Sequence, residues 1–560
     1  MKRLWMLPAL AALVTLAKPA HAVIDTKNAN YADSYIDLTL PGTGAPIKFQ
    51  RHYQSRSIFV GMLGFGWCSD YETTLEKLPE DRLKLTECGA GQEVYYSPAK
   101  FDEKSTNSVV DAIVAHYKKT NPGASQQTVE TLRGQVRENA DLRLEWAKSA
   151  GLKFPETKKG SVYAADNLLV EKIEFDGTYY TRTVADGTLQ KFDSAGHLIF
   201  IYDRNSNYLK LSYTADKLSE IVDNAGKKLS LVFYPNSKRL KEINGPSNTK
   251  VTYKYKGEDL SEVKTMWGTT YTYEYDDTHN VTKINFPDGT FKALTYNQKN
   301  DWVTSFTDRL MDPKAKSCTE RYSYEVDKEE PKNHFWTIVV KKCGTEVVNE
   351  SRFEFWYKQL ADGRKALSRV LTKGPTDTLD VTYHPEFGRP TIIKKNAQTT
   401  TFDYYKNGLI REKTTANVRM LYEYQNQYSK VSKVSAEFFD TKGKVARKRE
   451  TTFGYDEKAN LRTAQNSDGQ SVKLTYDGRG RIATITDQAL KEVQIKYDER
   501  TGKPAQIIRP KVGMINVAYK STGEISQVKS NDDPAVAVQI ASTFNNLLDI
   551  IAPATSELNL

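Results

Sequence analysis

The sequence predicts an all-β fold, a single curled antiparallel sheet of hairpins (a β-shell or spiral) interrupted by a helical insertion. Three observations predict it. Aromatic residues recur at a near-constant interval, a turn signal sits at a fixed place inside each interval, and composition leans toward strand, with 33 Tyr, 21 Phe and 32 Gly in 560 residues. At 39% hydrophobic residues the chain can bury a sizeable core. A mean hydropathy of -0.61 and the lack of a second long apolar run exclude a polytopic membrane protein.

The chain opens with Lys2 and Arg3, an apolar stretch from Leu4 to Ala17, and Ala20-His21-Ala22, the small-x-small pattern of a secretory cleavage site. A leader over 1–22 cut between Ala22 and Val23 is expected, with the product periplasmic or extracellular. The first cysteine is Cys68, so no lipid-anchor cysteine follows the cut. Loss of the leader takes the formal charge from +10 to +7. That mild, dispersed excess argues against a nucleic-acid partner. The densest basic run, Lys442 to Arg449, reads as a solvated strand edge, with contact to an anionic envelope polymer as the alternative.

Cys68, Cys88, Cys318 and Cys343 allow three disulfide connectivities. Close spacing favours Cys68–Cys88 and Cys318–Cys343, each bridging neighbouring strands and each worth about 3 kcal/mol. Zinc is the alternative, but no C-x-x-C occurs and no His stands at ligand spacing from either pair.

The period itself runs through Phe192, Tyr213, Tyr234, Tyr255, Tyr275 and Tyr296, with steps of 21, 21, 21, 20 and 21 residues. It resumes at Tyr383, Tyr404 and Tyr424, and again at Tyr455, Tyr476, Tyr497 and Tyr519. Within a unit, such as LSEIVDNAGKKLSLVFY, apolar residues alternate on both sides of a turn. Turns such as Asp288-Gly289 and Asp468-Gly469 complete the hairpin signature. A lone hairpin buries one face only, so successive hairpins must pair edge to edge. Stacking of each ring on the next is the expected role of the tyrosines; a sugar-binding ladder would need them exposed. A propeller of four-stranded blades is the structural competitor.

The unit ends in Tyr, often followed by Asp, as at Tyr275-Asp276, Tyr455-Asp456, Tyr476-Asp477 and Tyr497-Asp498, and resembles the YD repeat of the bacterial Rhs family. Arg51, Tyr53, Ser55, Gly61, Leu63 (in place of Phe), Gly64, Gly66, Trp67 and Tyr71, with Phe65 between the glycines, are similar to that family's conserved leading segment. The resemblance covers Tyr31 to Ser530 apart from insertions and implies a spiralling β-sheet shell. In many members the shell encloses a carboxy-terminal toxin released by self-cleavage; others are surface adhesion or wall-associated proteins. This chain departs from the toxin type: it has no P-x-x-x-x-D-P-x-G motif, and about 30 residues follow Ser530. About two dozen strands at roughly 4.8 Å, closed on themselves, give a ring about 35 Å across, too narrow for a second domain.

The expected organisation is leader 1–22, leading strands 23–100, helical insertion 101–153, first repeat block 154–300, irregular long hairpins 301–382, second block 383–530 and helical tail 531–560. In the insertion, Val109, Ile113 and Tyr117 mark one helix, Asn121-Pro122-Gly123 ends it, and Val129, Leu132, Val136, Ala140 and Leu144 mark a second. A cap over the open sheet end is expected, with a lid as the alternative. The irregular segment, with Trp336 and Trp356, is where a binding face is expected. The tail reads as a short helix with Val538, Ala541, Leu548 and Ile551 among its apolar positions, expected as a plug or cap packed on the last hairpins, with an interaction tail as the alternative.

No catalytic, cofactor or metal residue is predicted. G-x-S-x-G, H-E-x-x-H and the phosphate-binding glycine loop are absent. The six histidines after the leader, His52, His116, His197, His279, His334 and His384, include no pair at ligand spacing. Asp203, Asn205 and Asn207 imitate a calcium loop but lack its central Gly, and Thr214 stands where a bidentate Glu is required. Asp276-Asp277 and Asp532-Asp533 read as turn residues. The expected function is a non-enzymatic, exported structural or binding shell, monomeric, with no cofactor, recognising a protein or envelope glycan. A carrier for a separate effector or peptide, or a glycan-active enzyme with two facing acids, are the alternatives.

Overall fold

This computed structural model describes residues 23–555 apart from 43, 45, 90–92, 99–102, 167, 169, 185, 309–316, 361–364, 426–428, 520–524 and 532–533. The expected leader, Ala22 included, and Asp532-Asp533 lie outside the described residues, and Val23 is the first of those described.

The hairpins join into one antiparallel ladder of 36 strands, from Thr74–Leu78 to Ile525–Asn531. Each strand pairs with its sequence neighbour, as Ile221 with Leu229 and Leu231 with Ile243; the strand Glu93–Ser97 continues across the helical insertion to Val162–Ala165. Among the described residues no register joins the first strand to the last, and the sheet is open. Propeller blades are absent from it.

The repeat has a local physical cause. The ladder register shifts by one residue at the motif aromatic, between Ser212 and Tyr213, Lys254 and Tyr255, Glu274 and Tyr275, Thr475 and Tyr476, and Lys496 and Tyr497. Such bulges bend a strand and re-aim its side chain. Here the re-aimed hydroxyl donates to a carbonyl 15 residues back: Tyr213 to Leu198 at 3.0 Å, Tyr275 to Leu260 at 2.7 Å, Tyr476 to Leu461 at 2.8 Å and Tyr497 to Ile482 at 2.8 Å. Stacking of ring on ring, the expected role, is confined to a few pairs such as Tyr234–Tyr255 at 6.1 Å. The tyrosine is chiefly a hydrogen-bonding clamp between consecutive hairpins.

The aspartate that follows makes the turn. Asp477 Oδ1 accepts the backbone N–H groups of Arg479 and Arg481, and Asp456 does the same for Lys458 and Asn460. Burial would raise these carboxyls, yet the N–H donors hold both below the ordinary carboxylate value. Asp203 belongs to the same class, its Oδ1 accepting from Asn205 and Asn207 N–H, so the calcium-like run is a turn. Asp276 repeats it with Thr278 and Asn280.

The ladder coils past itself. The Arg204 guanidinium donates to the Ala459 carbonyl at 2.6 Å, Asn207 Nδ2 to the Arg479 carbonyl at 3.0 Å, and Lys227 Nζ to the Arg500 carbonyl at 2.9 Å. These contacts join hairpin turns about 22 strands apart along the ladder, a circumference on the order of 105 Å at roughly 4.8 Å per strand. The expected two dozen strands therefore describe one coil, and the 36 strands make more than one turn of a spiral.

Two segments fill the inner face. The leading strands form a separate four-stranded sheet of Val23–Asp25, Asn30–Leu40, Ile47–Gln54 and Trp67–Ser69, whose Phe49, Tyr53 and Trp67, with Leu63 from the turn before Trp67, share one core with Leu211, Ile243, Val263 and Leu294 of the ladder. The helix Pro534–Thr555 lies on the second block, burying Ile540, Thr543, Leu547 and Ile550. Its phase differs from the expected one: Val538 and Leu548 are exposed, because the buried stripe follows residues three and four apart starting at Ile540.

The insertion folds as three helices, Glu103–Thr120, Gln126–Glu138 and Ala140–Ser149, around Val110, Ile113, Val114, Val129, Leu132, Val136 and Ala147. The single second helix of the sequence reading is two, because Asn139 leaves helical geometry (φ -115°, ψ 111°) and caps the third with its side chain. The unit docks on the first hairpin of the ladder through Arg143 with buried Glu80 at 2.6 Å, and through Lys84 with Asp141.

Candidate functional site

The motif residues of the leading segment build the inner plug. Arg51 and Asp37 form an ion pair at 2.9 Å with both side chains fully buried. The second Asp37 oxygen accepts from the Tyr253 hydroxyl at 2.9 Å. Two guanidinium nitrogens of Arg51 have no hydrogen-bond acceptor. Instead the guanidinium lies over the rings of Tyr35 and Trp67 at 4.5 and 4.7 Å. A second buried pair, Lys292 with Asp33 at 2.8 Å, joins this plug to the ladder. The plug also donates and accepts along its rim: Leu240 N–H to the Met62 carbonyl, Phe65 N–H to the Glu258 carbonyl, and Val281 N–H to the Tyr53 hydroxyl. None of these groups faces an open cleft; they fasten the shell.

The irregular segment presents a different surface. Its strands Cys318–Val326, His334–Cys343 and Glu346–Gln359 are longer than most of those of the repeats, and Cys318 is bonded to Cys343 at their base. Thr337 Oγ1 donates to the Thr26 carbonyl of the plug at 2.6 Å, so that face of the strand points inward. By strand alternation His334 and Trp336 point outward. On this outer face the half-buried Trp356 ring stacks on His334 at 4.7 Å. Arg369 lies over Trp356 at 4.8 Å and Arg352 over Trp336 at 4.3 Å. Glu354 binds His334 Nε2 at 2.8 Å and Arg352 at 3.2 Å. Burial would raise the Glu354 carboxyl, but His334 and Arg352 hold it below the ordinary value. The result is a ladder of alternating rings and charges across three strands.

The repeat tyrosines do not form such a surface: their rings lie against the core and their hydroxyls are engaged. A cavity of about 490 Å³ opens where the two coils meet, lined by Tyr202, Arg204, Ser206, Lys430 and Glu457 among others. The basic run around Lys442 to Arg449 lies on an overhanging hairpin, with Lys448 paired to Glu437 at 2.7 Å and Arg449 to Asp468 at 3.2 Å.

One proximity escapes chain spacing. Cys68 is bonded to Cys88, and register within the leading sheet sets His52 opposite Cys68. One donor atom each of His52, Asp70 and Cys88 lies within 4.8 Å of the others. The reading that no histidine stands near a cysteine pair holds along the chain and fails in space. The signal was available only through strand register, since His52 and Cys68 sit in different hairpin arms.

The Teneurin YD-shell family model matches residues 158–355, and a domain of unknown function, DUF6531, matches 23–96. The chain is an Rhs/YD-repeat protein. No curated protein matches the sequence. Among solved structures, TcdB2-TccC3-TEV is similar over 91% of this chain at 10% identity with a TM-score of 0.41, and the Photorhabdus luminescens Tc holotoxin pore over 91% at 10% identity with 0.37. A porin-like protein from Bacteroides uniformis matches over 41% of this chain and 94% of its own, at 16% identity and 0.17. This YD-repeat chain spans 28% of the length of the first two. Its shell is a structural scaffold, and no described helix is long and apolar enough to cross a membrane.

Proposed function

We propose that this YD-repeat shell is exported and non-enzymatic, and that it recognises a polar partner at the cell envelope through the outer face of residues 301–382. The observation that carries this reading is the ring-and-charge ladder of His334, Trp336, Arg352, Trp356 and Arg369 on the outward side of the long hairpins. Aromatic and arginine side chains are the residue types that dominate recognition surfaces. Two disulfides suit an oxidising compartment. The inner faces of both blocks are packed by the chain's own plug and C-terminal helix, which favours recognition over carriage of a separate effector.

A crosslinking pull-down of the mature chain from its own envelope, with proteins and glycans both analysed, tests it. Enrichment of one partner that is lost on replacing Trp336 and Trp356 by Ala supports the reading. Enrichment unchanged by that double substitution refutes the assignment of the face, and a stoichiometric protein held inside the shell replaces it with the carrier reading.

A further inference from the structure

We propose that Cys68, Cys88, His52 and Asp70 form a redox-gated zinc site, closed while the two sulfurs are joined and open to Zn²⁺ once they are reduced. The proposal is independent of the outer-face reading.

The geometry is that of converging donors. Cys88 sits in the short helical turn Glu87–Gly89 in a left-handed conformation (φ 49°, ψ 46°), which brings its sulfur to Cys68 on the strand Trp67–Ser69. Its sulfur, the Asp70 carboxylate and a His52 ring nitrogen lie within 4.8 Å of one another, the one such group of three or more among the described residues. Cys68 Sγ stands outside that group of three but is bonded to its Cys88 sulfur, and is the fourth donor once the bond is reduced. Among the described residues no such group includes Cys318 or Cys343.

The histidine is already oriented. His52 Nε2 meets Asp70 Oδ1 at 2.9 Å, and Nδ1 meets Ser34 Oγ at 2.7 Å. With the ring proton on Nδ1 and donated to Ser34, Nε2 becomes the metal-binding nitrogen. A second partner that fixes tautomer and ring plane is what zinc-bound histidines usually have.

Two thiolates, an imidazole and a carboxylate suit Zn²⁺, whereas magnesium and calcium select oxygen alone. Zn–S near 2.3 Å and Zn–N near 2.0 Å place tetrahedral ligand atoms about 3.3 to 3.8 Å apart. The sulfurs must therefore separate on losing their bond, and the Asp70 carboxylate must withdraw slightly from His52. Asp70 is free to do so, its side chain being 59% exposed. That exposed side is also the path by which the ion enters.

The chemistry balances. A dithiol reductant supplies two electrons and two protons, its own sulfurs ending as a disulfide and the Cys68–Cys88 bond as two thiols. Zn²⁺ binding then expels the two thiol protons to solvent, and the imidazole proton moves from Nε2 to Nδ1. In the oxidised chain the sulfurs are not thiolates and the site lacks half its donors. The metal thus replaces the covalent cross-link between the leading sheet and the first hairpin under reducing conditions.

Cobalt, which reports tetrahedral thiolate ligation by its absorption, is the probe. The full mature chain carrying Cys318→Ser and Cys343→Ser, reduced with a phosphine that becomes its oxide, is expected to bind one Co²⁺ with a thiolate charge-transfer band and visible ligand-field bands, both abolished by one equivalent of Zn²⁺. The oxidised chain is expected to show neither. Ser34→Ala is expected to weaken binding about 10- to 100-fold. In the unmodified chain, Zn²⁺ is expected to protect Cys68 and Cys88, but not Cys318 and Cys343, from alkylation after reduction, a readout that survives failure of the double variant to fold. The proposal is overturned by the absence of the charge-transfer band in the reduced chain, by loss of the β circular-dichroism signal on reduction, by a band indifferent to His52→Ala with Asp70→Asn, or by equal alkylation of all four cysteines.

Discussion

If the repeat tyrosine is a hydrogen-bonding clamp, removing its hydroxyl must cost according to what each hydroxyl holds. Tyr497 donates one bond, to the Ile482 carbonyl at 2.8 Å, so Tyr497→Phe should cost about 1 kcal/mol. Tyr275 donates to the Leu260 carbonyl at 2.7 Å and accepts the Trp67 indole N–H at 3.0 Å. Tyr275→Phe loses both bonds and strands the N–H of Trp67, whose residue is fully buried, for a loss of about 2 to 4 kcal/mol. A spiral of this length need not unfold in one step, so the measurement is local: native-state hydrogen exchange of the strands Asp259–Lys264, Thr270–Tyr275 and Glu492–Tyr497. Phe keeps the ring and its packing, which isolates the hydroxyl. Equal losses in the two variants, or a larger one at Tyr497, would refute the clamp and return the tyrosines to a packing role.

Four further outcomes are expected. Asp37→Asn leaves the Arg51 cation buried without its counter-charge and should cost about 3 to 5 kcal/mol, seen as a collapse of soluble yield and of urea resistance. Gly196 has φ 87°, and an added Cβ would come within 2.0 Å of the Leu75 carbonyl oxygen where the coil meets the first strand; Gly196→Ala should destabilise more than Gly443→Ala, which shares a positive φ but has open space, in paired thermal melts. Because Asp456, Asp477 and Asp498 are held below the ordinary carboxylate value, their contribution is complete above that value and lost as pH falls through the depressed ones, so urea midpoints should drop on acidification below about pH 4, and less so in Asp477→Asn. Non-reducing mass mapping should find all four cysteines paired as Cys68–Cys88 and Cys318–Cys343; alkylation of a cysteine without reduction would contradict the cross-link it belongs to, and alkylation of all four would contradict both.

What was legible in the sequence is what the bulge dictates. The shift of register recurs at an aromatic ring, usually a tyrosine whose hydroxyl can reach back as at Tyr213 and Tyr476 and in places a phenylalanine as at Phe192 and Phe233, so the same residue types return at the same step and the period shows through. The coil is different. Arg204 and Ala459 are 255 residues apart and meet through a guanidinium and a backbone carbonyl, a contact with no pattern along the chain, so counting strands in the tyrosine series gave one coil and missed the rest. The Asn139 break was hidden because Ala140 and Leu144 continue the apolar spacing beyond it. The tail helix was found but turned wrongly: Val538 and Leu548 are as apolar as Ile540 and Leu547, and only the face offered by the second block chooses between them. His52 escaped because its nearness to Cys88 depends on a strand pairing rather than on spacing.

The two faces of the ladder are the reason we propose recognition on the outside. On the inner face the demand is fixed: each hairpin must bury its apolar row, and the plug and the C-terminal helix already meet that demand for Leu211, Ile243, Val434 and Leu474. An inner residue that varied to suit a partner would disturb a packed core, at a cost of a few kcal/mol for a lost aliphatic side chain. The outer face carries no such demand, and over the repeats it is furnished with exchangeable pairs such as Lys228–Glu220 and Lys254–Glu262, worth little singly. Against that background large aromatic rings on the outer side of the long hairpins are not required by the shell. Trp336 and Trp356 stand outside the buried cores of the coil, and Arg352, Arg369 and His334 are arranged on them rather than on the acids of neighbouring strands alone. A surface that departs from the economy of its own scaffold is the place to expect a partner, and the double tryptophan variant is the substitution that removes it while leaving the clamps, the turns and the plug untouched.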